Sequence, residues 1–245
     1  MLCAMRFLAI ALPVFAFVLL PGLALGDGEL PPRAPKDLDA MVLVPAGPAI
    51  KGYDKGKKFE RPQHEVVLSA FWIDVYETTN WEYRRFVLAT GHPAPPHWIE
   101  GEYEDGRAFH PVTNVTFDDA VAYATWMGKR LPTEAEWEKA CRGTDGRLFP
   151  YGDEFQSEIT NYGASPACDT VRVDRFPEGK SPYGCIQMAG NVWEWVGDWF
   201  STTYYEDGQV DPRGPKCGTM HVAKGGSWTT DDYVCRASFR CRSLP

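Results

Sequence analysis

Hydrophobic and polar positions divide the chain into three stretches with different periods. From Phe7 to Leu20 the residues are apolar, Arg6 is the sole charge before residue 27, and Pro21, Gly22 and Ala24-Leu25-Gly26 follow. A basic start, an apolar run and a small-residue end describe a secretory signal over residues 1–26. The run is short for a bilayer span and is broken at Pro21-Gly22. Residues 27–40 carry Pro31, Pro32 and Pro35 among charges and read as a flexible leader. From Met41 the pattern turns regular. Met41-Val42-Leu43-Val44-Pro45, Glu65 to Leu68 and Phe71 to Tyr76 read as short strands.

Three helices announce their starts and stops. Thr79 or Asn80 caps a helix that runs to Thr90 and stops at Gly91. Thr116, with Asp119 three residues on, caps Phe117 to Met127, ended by Gly128. Thr133 and Glu136 form a capping box for Glu134 to Cys141, ended by Gly143. Beyond Gly143 regular periodicity fades into aromatic, Gly and Pro residues. Trp193 and Trp195, at spacing two, share one side of an extended strand. One domain over residues 41–245 is the simplest division.

Composition sharpens this picture. The 245 residues include 23 glycines and 20 prolines, which favours turns over long helices. An apolar share of 44 % and a mean hydropathy of −0.33 describe a folded chain rather than a disordered one. The net charge is −8, and no basic run exists, which argues against nucleic-acid binding. Scattered charges read as mostly solvated surface. Of seven cysteines, Cys3 lies in the signal segment, leaving six, an even count that suits disulfides in an exported chain. The histidines show no metal-binding spacing, and no nucleophile-elbow, P-loop or dinucleotide fingerprint is present.

Several runs occur in a definite order: Met41 to Gly47; His110-Pro111-Val112-Thr113-Asn114-Val115-Thr116; Gly128 to Glu138; Phe149-Pro150-Tyr151-Gly152-Asp153; Gly190-Asn191-Val192-Trp193-Glu194-Trp195; and Gly225-Gly226-Ser227-Trp228. As a series they resemble the formylglycine-generating enzyme (sulfatase-modifying factor) family. The resemblance implies a compact α+β domain with a C-type-lectin-like fold, low in regular secondary structure. It also implies an oxidase that converts a sulfatase cysteine to formylglycine with dioxygen and copper held by two cysteines.

Mapped through that resemblance, Cys235 falls at the second copper-binding cysteine and Thr230 at the first. A hydroxyl is a hard ligand and cannot replace a thiolate for copper(I). Ser227 matches a residue of the substrate groove, and is equally a turn residue after two glycines. Trp193 matches a groove aromatic, but a Trp between apolar neighbours is more often a core residue. Asn161, Tyr162 and Asp169 match one structural calcium site; Gln187, Gly190, Val192 and Glu194 match another. Cys141 and Cys241 match a family disulfide, with Cys168–Cys185 and Cys217–Cys235 as the remaining pairs. Family members usually continue past this chain's Ser243-Leu244-Pro245 with a closing strand. The expectation is a secreted or periplasmic protein or peptide-binding accessory module; the alternative is the copper-dependent oxidase itself.

Overall fold

The computed structural model describes residues 3–4, 6, 8–9, 34–35, 37–203 and 210–243, the backbone alone at 3–4 and 8–9. The expected signal and leader segments fall mostly outside these residues. Three small sheets and three helices carry the fold. β3 (Met41–Val44) pairs antiparallel with β6 (Phe71–Asp74), Val42 facing Ile73 and Leu43 facing Trp72. β2 (Leu8–Ala9) lies between β6 and β7 (Lys129–Arg130), completing the order β3-β6-β2-β7. β4 (Gly47–Lys51) pairs with β5 (His64–Leu68). The remaining sheet runs β1-β8-β9-β10, from β1 (Cys3–Ala4), β8 (Trp193–Trp199), β9 (His221–Lys224) and β10 (Cys241–Ser243).

The helices begin and end where their caps predict. α1 (Asn80–Thr90), α2 (Phe117–Trp126) and α3 (Glu134–Arg142) each open on a capping box, led by Thr79, Thr116 and Thr133. The reciprocal partners are Glu82, Asp119 and Glu136, so two orphan backbone donors are satisfied at each start. Gly91 takes the left-handed conformation that ends α1.

β8 shows how the core is divided. Trp193 and Trp195 face a cluster with Tyr83, Phe86, Tyr123 and Leu131. Val196 faces a second cluster around Trp137, Ile73 and Val222. The strand is buried on both faces, which is why its alternation is hidden in the sequence.

One group of charges is an exception to the surface reading, and one expectation is corrected. All nine residues of α3 are buried, its acidic and basic side chains included. Glu134 accepts Arg240 Nε at 2.6 Å, Lys51 Nζ at 3.2 Å and Lys224 Nζ at 3.4 Å. Glu138 accepts Arg142 Nη1 at 2.6 Å and the Gly52 amide at 2.8 Å. Charge is affordable inside because each group is matched. None of the three expected disulfides is formed: Cys141, Cys168, Cys185, Cys217 and Cys235 are free thiols. Each pair would join unlike places. Cys141 lies in the Trp137 cluster, whereas Cys241 packs against the Trp193 cluster. Cys185 and Cys235 are buried while Cys168 and Cys217 are exposed.

Candidate functional site

The Gly-Gly-Ser run builds a tight turn beside a single buried thiol. Gly225 and Gly226 have φ of +93° and +79°, and a side chain at Gly226 would come within 2.9 Å of Cys235 Sγ. Thr230 Oγ1 accepts the Ser227 amide at 2.9 Å and donates to the Ser227 carbonyl at 2.9 Å. It lies 3.9 Å from Cys235 Sγ. Thr230 therefore faces Cys235, as the count from Gly225 requires, and its hydroxyl is committed to closing the turn. Ser227 Oγ is 2.9 Å from Thr229 Oγ1 and accepts the Thr229 amide at 3.3 Å, so it too serves the turn. Burial pushes the Cys235 thiol up to about 12, against a smaller lowering by Thr230. At neutral pH it is a protonated thiol, poorly suited to nucleophilic chemistry. Cys217 is exposed, whereas Cys235 is buried. The residues present do not fit a two-thiolate copper centre.

Asn191 ties this turn to the neighbouring loops, a role its place in the Gly190-to-Trp195 run did not announce. Its amide group donates to Glu77 Oε2 at 2.7 Å, and its Oδ1 accepts the Val171 amide at 2.9 Å and Asn161 Nδ2 at 3.1 Å. Its backbone N–H donates to the Asn161 carbonyl at 2.7 Å, and its carbonyl accepts Trp228 N–H at 2.9 Å. Asparagine suits the positive φ of 57° adopted there.

A cavity of about 670 Å³ opens beside this turn, lined by Trp228, Asn80, Tyr103, His110, Asn114 and Asp169, among others. Two of its residues carry unmatched buried atoms: the Trp228 Nε1 donor and the Asn80 Oδ1 acceptor. His110 is held neutral, lowered to about 4 by burial and then by neighbouring Arg107. Its Nδ1 lies 3.1 Å from Arg107 Nη1 and 2.9 Å from Thr170 Oγ1. Trp193 is 5 % exposed and packs in the core, outside this cavity.

The expected calcium residues are partly gathered. Asn161 touches Asp169 through the Asp169 carbonyl at 2.9 Å, and Asn161 Oδ1 is buried without a partner. The Asp169 carboxylate turns instead to Arg107 and to the Thr170 amide. Tyr162 packs edge-on against Phe155. Gln187 spends its amide on the Arg175 carbonyl at 2.9 Å. Gly190 and Val192 follow it in the loop leading to β8. Glu194 accepts Trp137 Nε1 at 2.8 Å and Arg6 Nε at 3.1 Å. Neither expected calcium set converges through its carboxylate. Among the described residues no cluster of three or more His, Cys, Asp or Glu is arranged to hold a metal ion. No helix among them is long and apolar enough to cross a membrane.

Comparison with known proteins places these features in one lineage. The sulfatase-modifying factor enzyme 1-like domain matches residues 27–245. The formylglycine-generating enzyme of Bos taurus is 33 % identical, over 86 % of this chain and 70 % of that one. The serine/threonine-protein kinase pkn1 of Chlamydia caviae is 35 % identical over 84 % of this chain, but the match spans 35 % of the kinase. Among solved structures, PvdO from Pseudomonas aeruginosa superposes with a TM-score of 0.72 at 27 % identity, covering 84 % of this chain and 88 % of that one.

Proposed function

The chain belongs to the sulfatase-modifying factor enzyme 1-like family, and from that premise we propose that it is an exported member that binds a protein or peptide segment without oxidising it. The observation that carries this reading is Thr230 facing Cys235. One thiol, buried and protonated, stands where the resemblance implies a thiolate pair. What remains beside it is a recognition surface. The cavity next to the turn combines aromatic walls with an unmatched donor on Trp228 and an unmatched acceptor on Asn80. Both atoms are sealed from solvent, so a peptide reaches them where the cavity wall shifts, and its backbone amide then supplies both complements, a carbonyl for the indole and an N–H for the Asn80 oxygen. Burying such atoms without partners is costly, so a peptide that satisfies them gains affinity. Calcium in the loops supporting the cavity belongs to the same proposal; the orphaned Asn161 Oδ1 is the atom that favours it.

The test is a mass-spectrometric assay on a peptide containing Cys-x-Pro-x-Arg, incubated with the protein, copper and oxygen. The expected result is unchanged peptide that nonetheless perturbs the tryptophan fluorescence of the wild type on binding, a change lost in Trp228→Phe. Formylglycine in the product would overturn the reading in favour of the oxidase, the function carried in the name of the bovine relative.

A further inference from the structure

The first residues of the chain supply the middle of one sheet. β2 pairs with β6 on one side and β7 on the other: Leu8 lies opposite both Ile73 and Arg130, and Ala9 opposite Trp72 and Lys129. Among the described residues no other strand joins β6 to β7, so these two stand about 9–10 Å apart, two strand spacings. Just before β2 in the chain, β1 runs parallel to β8, Cys3 opposite Trp193 and Ala4 opposite Glu194. The N-terminal segment therefore crosses from one sheet to the other.

Arg6 pins the crossing. It is fully buried, and its five N–H donors meet five oxygens. Nε donates to Glu194 Oε2 at 3.1 Å, and Nη2 to Glu194 Oε1 at 3.4 Å and the Ile186 carbonyl at 2.5 Å. Nη1 donates to the carbonyls of Asp74 at 2.8 Å and Val75 at 2.5 Å. A lysine, with three donors on one nitrogen, could not serve oxygens so spread. The charge is needed as well. Glu194 and Glu77 are both buried, and burial, then the Glu194 charge, raises the Glu77 carboxyl well above its ordinary range. Removing the one cation from such a pair is strongly unfavourable.

We propose that the gap between β6 and β7, together with the Glu194 carboxylate, is a strand-docking site that selects arginine. Residues 3–9 fill it in the full chain. Once residues 1–26 are removed, it takes an extended segment of a partner polypeptide in which one arginine stands between strand-forming apolar residues. Two features argue for a strand rather than a small cation. An emptied gap leaves backbone donors and acceptors of β6 and β7 unpaired, and an added strand satisfies both rows at once. A free ion or amine would neutralise Glu194 and leave those rows unmatched. The removal step rests on the export reading above; the docking site and its choice of arginine do not.

The test starts from the full chain carrying a specific protease site between Gly26 and Asp27, folded first and cut afterwards. Calcium chloride is kept at one concentration throughout. After the cut, residues 1–26 of the wild type are expected to stay with residues 27–245 through gel filtration, read by intact mass, and those of Arg6→Met to be lost. Equal retention or equal loss in the two would overturn the proposal. A fluorescent peptide of residues 1–10, in excess, is then expected to enter the cut wild type at one per chain and to leave the uncut chain unlabelled. The same peptide with Arg6→Met should bind about a hundredfold more weakly. Uptake by the uncut chain equal to that of the cut chain would show that residues 3–9 do not fill the gap. Should the Arg6→Met chain fold poorly, the two peptides carry the test alone, and equal uptake of both, or of neither, overturns the proposal.

Discussion

At Gly190 a methyl group would stand 2.2 Å from the Asn161 carbonyl oxygen, in a backbone already at φ +82°. Neither strain can relax cheaply, because that carbonyl accepts the Asn191 amide. Gly190→Ala is expected to lose about 3 kcal/mol or more in chemical denaturation. Asp198 illustrates a different residue-level effect. Burial, followed by the Glu134 charge, raises its carboxyl to about 7, while it accepts the Glu134 amide at 2.8 Å. An unfolded aspartate ionises near 3.9, so between about pH 4 and 7 the native state holds a proton that the unfolded state releases. This group's contribution is therefore complete below about pH 4 and is lost as pH rises toward 7. Asp198→Asn keeps an acceptor and removes the titration. Urea midpoints from pH 4 to 7 should fall less steeply for the variant than for wild type. The sequence marked Gly190 only through the family resemblance and did not mark Asp198, because clash and burial depend on segments distant along the chain.

The three helices were legible almost to the residue, since a capping box is a local device and Gly stops are local as well. Thr116→Ala removes the hydroxyl that accepts the Asp119 amide and should cost about 1 kcal/mol in thermal or chemical unfolding. The strands divide differently. β3, β5 and β6 were visible from runs of apolar and β-branched residues. β4, β9 and β10 were not, because Gly47-Pro48, His221 and Arg242 give them no alternating pattern. The character of α3 also escaped the sequence. Its charges look like those of a solvated helix, yet their partners Lys51, Lys224 and Arg240 arrive from three other elements. Only tertiary contact turns those scattered charges into an interior network.

Across the whole molecule, the ordered series of runs made both family and fold readable, and the match over residues 27–245 agrees. The disulfide framework did not survive, because the three-dimensional placement of each expected pair separates core from surface or one cluster from another. The candidate site was half legible. Counting from Gly225 put Thr230 opposite Cys235, and the structure brings them together. The cavity beside Trp228 and the part played by Asn80 were invisible, since its walls come from separate segments between Asn80 and Trp228.

The central claim is that the missing thiol at Thr230 leaves this protein without an oxidase's copper centre. Copper(I) competition against a chromophoric chelator tests it most directly, with wild type beside Thr230→Cys. The wild type should leave copper with the chelator, and Thr230→Cys should withdraw close to one equivalent. One equivalent withdrawn by the wild type, and lost in Cys235→Ser, would contradict the account.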